Sequence, residues 1–340
     1  MKSSNEQGSG PGTHGPAYLS IGASSVETAY LVSPEHVNLI GTLHGGFLMD
    51  WMIATASIAA ARLARGSFTL ASVDRLFFLN PVRAGELVML RARVEHVGRS
   101  SMEVGLEAFA ENLVTGERRR TTLAHMAFVA LNKANRPREV PVKIRPAPGE
   151  EGLYEEARKR RERRLDWLRE GPRQEEVEEG HPWRLTVTRL VMPEDAIYGN
   201  IMYAGRLLKL LDDVGAALAI RYARGPVVTA SLDDTHFYEP VLVGDLLEVS
   251  AALNYVGRSS MEIGVRVVAE DPAMGEKRHV TTSYLTYVHV KAPGEAAPLP
   301  PYVPQTPEAE RRWREAEGRR QERLRELERL KASFGDRGPR

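Results

Sequence analysis

The sequence predicts an α+β protein made of two copies of one unit, each an antiparallel sheet wrapped around a long helix, the two packed as a pseudo-dimer. Two observations carry that prediction. The heptamer VGRSSME occurs twice, at Val97–Glu103 and Val256–Glu262, and the 159-residue offset between the heptamers also lays Val32–Leu131 on Val191–Val290 without a gap. Roughly a third of the aligned positions are identical, which marks an internal duplication whose period is too long for a solenoid. The second observation is that both copies show one order of elements.

Each copy opens on a β segment, Val26–Val32 or Leu185–Val191, followed by a Gly-containing loop. A helix comes next, Gly45–Ala64 or Ala204–Ala223, supported by Ala, Leu and Met at spacings of three and four and closed in both copies by Arg-Gly. Four strand-like runs complete the first copy, Phe68–Phe78, Leu87–Val97, Met102–Ala110 and Arg118–Leu131, with matching runs in the second. Pro81, Gly85, Gly98 and Gly116 mark the turns. A strand, one long helix and four antiparallel strands make the hot-dog arrangement. VGRSSME falls at a hairpin between two long strands, where Gly98 and Gly257 are expected to supply permissive backbone. Turn chemistry and ligand contact are both open readings of the heptamer.

The chain divides accordingly into a disordered tail (1–17), a first hot-dog domain (18–145), a charged helical linker (146–180), a second hot-dog domain (181–292) and a Pro-rich segment with a C-terminal charged helix (293–340). The linker helix is expected over Tyr154–Glu170, closed by Gly171-Pro172, and the last helix over Glu308–Leu330 behind a Thr-Pro-Glu entry signal.

Composition narrows the function. With 42% hydrophobic and 27% charged residues, the chain reads as a soluble globular protein. No apolar run is expected to reach the roughly 18–20 residues of a membrane span. The first residues lack the apolar core of a secretory signal. Cysteine is absent, which removes disulfides, thiolate metal sites and a cysteine nucleophile, and fits a cytoplasmic protein. A net charge of +1 gives no drive toward nucleic acid or membrane, and Glu nearly cancels the Arg of the charged helices. The nine histidines show no metal spacing, and no P-loop, GxSxG elbow, HExxH or dinucleotide fingerprint is present.

The informative place is the loop entering each helix, because free N–H groups at a helix N-terminus favour developing negative charge. At the fixed offset Asn38 faces Ile197, Gly45 faces Ala204, and Ile53 and Ala54 face Asp212 and Asp213. The first copy therefore pairs a polar loop with an apolar helix, and the second does the reverse. Asp212 lies within an otherwise apolar helix, where a carboxylate costs several kcal/mol unless paired, hydrated or protonated. Asp213 reads as a solvent-facing or capping carboxylate.

The segments "NLIGTLHGG", "ASVDRLFFLNPVRAGELV" and "VGRSSMEV", with their partners, resemble the acyl-CoA thioesterases built as tandem hot-dog domains, over about 260 residues from Val26 to Val290. The resemblance implies hydrolysis of acyl-CoA to free acid and CoA at a single seam between the repeats, without cofactor or metal, CoA being part of the substrate. Carried over by residue, it implies catalytic roles for Asn38, Asp212 and Gly45, with Asp212 acting on a water and the Gly45 N–H on the oxyanion. Gly46 assists, and Arg99 and Arg258 in the repeated hairpins meet CoA phosphates. It also implies a homotrimer, in which the charged helices pack around a ring of six hot-dog units and hide Leu153, Leu165, Trp167, Leu168, Trp313, Leu324 and Leu327. His44, whose counterpart is Tyr203, is expected to shape the loop, and Asp74 and Asp233 to fix backbone. The rival readings are a hot-dog dehydratase or hydratase, which would want a His paired with a carboxylate, and a non-catalytic acyl-CoA sensor.

Overall fold

A computed structural model describes residues 17–170, 181–197 and 199–335. The two aligned halves fold alike. In the first, β2 (Val26–Leu31) precedes α1 (Gly45–Ala64), which is followed by β3 (Phe68–Val73), β4 (Leu76–Phe77), β5 (Leu87–Val97), β6 (Ser101–Glu111) and β7 (Arg118–Ala130). In the second, β9 (Arg184–Leu190) precedes α3 (Ala204–Ala223), β10 (Val227–Leu232), β11 (Thr235–His236), β12 (Leu246–Val256), β13 (Ser260–Asp271) and β14 (Glu276–Ala292). Both helices end where the sequence places them, because Arg65 and Arg224 adopt the left-handed conformation that stops a helix. Each sheet curls around its own helix, so both halves are hot-dog units.

The halves are joined through their sheets. The run expected as one strand over Phe68–Phe78 breaks at Asp74-Arg75, and β4 crosses to pair with β10 of the other half. Reciprocally, β11 pairs with β3. The helices pack against each other within this frame. A Cβ on Gly45 would meet Asp212, one on Gly46 would meet Lys209, and one on Gly205 would meet Asp50. Residue numbers rise on one helix as they fall on the other, so α1 and α3 run antiparallel.

Elements outside the aligned units complete the fold. Ala17, counted in the expected disordered tail, begins β1 (Ala17–Leu19), which pairs in parallel with β8 (Val142–Ile144), and β15 (Glu295–Ala296) pairs with β14. The rest of that tail and the Gly171-Pro172 stop lie outside the described residues. Against the expectation that no stretch matches a membrane span, α1 is long and apolar enough by length and composition. Here it is the core helix of the first sheet, with Met52, Ala56, Ala59 and Leu63 wholly enclosed.

The charged helices α2 (Glu151–Glu170) and α4 (Pro307–Gly335) cover the sheet faces turned away from α1 and α3. Side chains alternate along β6: Met102, Val104 and Leu106 enter the core, and Glu103 between them points outward. There it accepts from Arg164 of α2 at 2.7 Å, while the same guanidinium reaches Asp74 at 3.1 Å. In the second half Arg323 of α4 bonds Asp233 and Glu262, both at 2.7 Å, and Arg319 bonds Glu262 at 2.7 Å. Arg164 and Arg323 stand 159 residues apart, as do Arg160 and Arg319, so the duplication includes these helices.

The heptamer therefore ends on an anchor for a charged helix. Its Gly98 and Gly257 lie outside the left-handed region, so permissive backbone is not what calls for them; Gly98 is small because Arg161 Nε would lie 2.6 Å from a Cβ there. The apolar stripes are only partly free. Trp167 stacks on His236 and Tyr238, and Trp313 packs on Tyr255 and Tyr302, while Leu165 and Leu324 stay exposed. The side chain of Leu168 lies outside the described residues. Trp167 and Trp313, expected to be hidden in a ring of subunits, are thus already packed within the chain itself.

Candidate active site

The antiparallel helices bring the N-terminus of α1 onto the middle of α3. Asp212 is wholly buried there. Its Oδ1 accepts from Thr229 Oγ1 of β10 at 2.8 Å and lies 3.0 Å from the Tyr287 hydroxyl of β14. Its Oδ2 accepts no hydrogen bond among the described residues. A Cβ on Gly45 would fall 2.8 Å from Thr229 Cβ and 3.0 Å from that Oδ2, so this helix start admits only glycine without displacement. The first N–H groups of a helix have no partner within it. A buried carboxylate oxygen and a helix N-terminus thus face the same small volume.

Burial holds the Asp212 carboxyl above the ordinary aspartate range, and His44, Thr229 and Tyr287 only partly offset it. A base raised in this way is better matched to proton abstraction near neutrality. His44 does more than the loop-shaping expected of it. It caps α1, its Nδ1 accepting from Gly46 N–H at 3.1 Å, and that nitrogen also lies 3.3 Å from Asp212 Oδ2. Asp213 is partly exposed and paired with Lys209 at 2.7 Å.

Asn38 lies one loop away. Its Oδ1 accepts from the N–H groups of Ile40 and Thr42, and its Nδ2 donates to Thr42 Oγ1 at 2.9 Å. The loop closes where His44 N–H donates to the His36 carbonyl at 2.9 Å. Asn38 therefore sets the turn that delivers His44 and Gly45, and no hydrogen bond joins it to Asp212 among the described residues. Gly46 packs against Lys209 and His44. Arg99 and Arg258 are exposed at the tips of the β5–β6 and β12–β13 hairpins and form no ion pair among the described residues. Trp51 turns toward its own sheet, stacking on Tyr30 at 4.7 Å.

The opposite seam has the same geometry and none of the chemistry. Ile53 replaces Asp212, Leu70 replaces Thr229, Phe128 replaces Tyr287, and Ile197 replaces Asn38. The register is equivalent, since Leu70 pairs with Phe128 as Thr229 pairs with Tyr287. These residues line an apolar cavity of about 40 Å³ together with Tyr203 and Ala204. The Thr229/Leu70 and Tyr287/Phe128 contrasts escaped the sequence reading, although the same fixed offset displays both.

Comparison with known proteins fits this arrangement. The model of the thioesterase superfamily matches residues 40–117 and 199–276, once in each half at the repeat offset. Human cytosolic acyl coenzyme A thioester hydrolase is 29% identical over 310 residues, covering 86% of this chain and 81% of its own length. Protein VdlD of Helicobacter pylori is 39% identical over 142 residues, covering 42% of this chain and 81% of its own. A solved acyl-ACP thioesterase from Bacteroides thetaiotaomicron aligns over 79% of this chain and 100% of its own, with a TM-score of 0.51 and 15% identity, a likeness of fold alone. With a thioesterase match in each half and relatives of this kind over most of its length, the chain belongs to the thioesterase superfamily as one of its tandem hot-dog acyl-CoA thioesterases.

Proposed function

We propose that the protein hydrolyses acyl-CoA to a free acid and CoA at one seam, between α1 of the first half and α3 of the second. The observation that carries this reading is the buried Asp212 with one oxygen held and the other free beneath the α1 N-terminus, against Ile53 at the equivalent seam. Asp212 takes a proton from water as the water oxygen bonds to the thioester carbonyl carbon. The carbonyl oxygen gains negative charge and is met by the Gly45 N–H, with Gly46 beside it. Collapse breaks the C–S bond, and the proton held by Asp212 goes to the departing thiolate. Asn38 and Thr229 act as positioning residues, one on the loop and one on the carboxylate. Arg99 and Arg258, exposed and without an ion pair among the described residues, are the proposed contacts for CoA phosphates. The reaction calls for no cofactor or metal.

The names of the relatives support a cytoplasmic site of action. Self-association is supported by exposed Leu31 and Leu190, counterparts at the ends of the edge strands, with Met192 and Ile197 near the latter. A homotrimer is the proposed state, and light scattering that finds a stable 37.8 kDa monomer at micromolar concentration refutes it.

An acyl-CoA panel incubated with a thiol reagent tests the main reading: thiol release is expected, and binding without release favours a sensor. The His44–Asp212 approach of 3.3 Å gives the hydratase reading a specific observation. That reading requires loss of an enoyl-CoA's conjugated absorbance with no thiol released.

A further inference from the structure

We propose that Tyr287 is a positioning residue for Asp212, and that Gly215 occupies the middle of α3 in order to admit the Tyr287 hydroxyl. The inference rests on the hydrolytic reading only for its kinetic consequences. Tyr287 is wholly buried, and its hydroxyl lies 3.0 Å from Asp212 Oδ1 and 3.1 Å from the Asp212 carbonyl. A Cβ on Gly215 would stand 2.4 Å from that hydroxyl. The first half carries Ala56 and Phe128 at these two places. Glycine weakens a helix interior relative to alanine, so its presence here needs a cause. The pairs Ala56/Phe128 and Gly215/Tyr287 supply one: the small residue accompanies the hydroxyl, and the hydroxyl accompanies the acid.

A phenol has one proton to donate. Given to Oδ1 beside Thr229, it fixes the carboxylate rotamer so that Oδ2 faces the α1 N-terminus, and it favours the charged form. Given to the Asp212 carbonyl, it only braces the helix. The titratable and charged groups around Asp212 are His44 from the loop before α1, Asp213 and Lys209 from α3 itself, and Tyr287 from β14; Thr229 of β10 does not titrate.

The test uses the full chain with Tyr287→Phe, Gly215→Ala and the double variant, which installs the pair already accommodated in the first half. Three readings are taken: thermal melting, the pH profile of thiol release, and infrared titration of the Asp212 carboxyl with Asp212→Asn as spectral reference. Tyr287→Phe and the double variant are expected to lose about ten-fold in kcat with KM within about two-fold. Their acid limb moves to higher pH, and the carboxyl band titrates at higher pH than in the parent protein. The double variant melts at or above the parent temperature. Recovery of kcat together with stability in the double variant overturns the proposal, as does an unmoved carboxyl band. If the parent protein releases no thiol, the hydrolytic reading fails, while the infrared titration, which needs no substrate, still decides the role of Tyr287.

Discussion

Asp212→Asn is expected to silence the enzyme and stabilise the fold at the same time. The carboxylate is fully enclosed, with Thr229 at 2.8 Å and Tyr287 at 3.0 Å serving Oδ1 and no hydrogen bond serving Oδ2 among the described residues. An asparagine oxygen keeps both donors, while its NH2 faces a His44 Nδ1 whose lone pair is already taken by Gly46 N–H, so the gain comes from losing the buried charge and not from a new hydrogen bond. The substitution removes a buried charge whose second oxygen is unsatisfied, an arrangement that costs about 1–3 kcal/mol. In a chain of this size that corresponds to a rise of a few degrees in Tm. Activity falls by about 10²–10⁴-fold, the usual loss for a positioned base. Because the folded-state pKa is raised, the native protein holds this proton more tightly than the unfolded chain. The stability difference is smallest at acid pH and opens as pH rises from the ordinary aspartate range through the raised value. Thiol release and melting curves across pH read both effects. Near-normal turnover refutes the base assignment, and a lower Tm at neutral pH refutes the account of an unsatisfied carboxylate.

At the apolar seam, Ile53→Ala removes a buried side chain and is expected to destabilise by about 2–5 kcal/mol with kcat retained, while Ile197→Ala, 57% exposed, stays within about 0.5 kcal/mol; an equal catalytic loss at both seams contradicts a single site. Arg164→Ala leaves Glu103 without its guanidinium and Asp74 with only Arg160 at 4.0 Å, and is expected to cost about 3–5 kcal/mol in chemical denaturation, with α2 becoming cleavable by protease. On the same face, burial lowers His96 and His236 to about 4, so the folded state keeps them neutral while the unfolded chain protonates them near their ordinary value. Their contribution is present above about pH 6.5 and is lost as pH falls through the interval down to about 4; His236→Gln should flatten that fall in Tm, and an unchanged slope argues against it. The two halves expressed separately are expected to release no thiol alone and to regain some release on mixing; activity from the second half alone refutes the shared seam.

The core helices α1 and α3 were legible to the residue because local chemistry ends them, with Arg65 and Arg224 stepping into the left-handed region before Gly66 and Gly225, whereas α2 starts three residues before the expected Tyr154 and α4 runs on to Gly335, past the expected Leu330. The break between β3 and β4 was not legible. It sits at Asp74-Arg75, whose partners Arg164, Asp233 and Glu326 come from distant elements. Asp212 stood out as an acid among apolar neighbours. Thr229 and Tyr287 did not, because Thr opposite Leu, or Tyr opposite Phe, is ordinary variation in a strand until a buried carboxylate lies between them. His44 was underrated for a similar reason: its counterpart Tyr203 suggested a loop role, and its approach to Asp212 depends on how the helices cross. The heptamer, the loudest signal in the sequence, marks helix docking through Glu103 and Glu262.

Fusion of the copies explains why the two seams were free to diverge. In a symmetric dimer each residue on the axis meets its own duplicate. Here Arg75 and Asp234 are counterparts at the repeat offset, and they meet: Arg75 N–H donates to Asp234 Oδ1 at 2.9 Å, and its guanidinium reaches Asp233 at 3.2 Å and Glu326 at 2.8 Å. Asp50 and Lys209 are also counterparts, on the antiparallel helices, and the Arg206 and Lys209 charges act on the half-buried Asp50 carboxyl. Pairing two first halves would set Arg75 near Arg75 and Asp50 near Asp50. Pairing two second halves would set Asp234 near Asp234 and Lys209 near Lys209. Like charges at both places disfavour either product, so these contacts select one copy of each kind. Once each half always meets the other, a polar loop is needed only on the first and an acid only on the second. The abandoned seam is then free to fill with Ile53, Leu70 and Phe128, recovering apolar packing where a second carboxylate would have been buried.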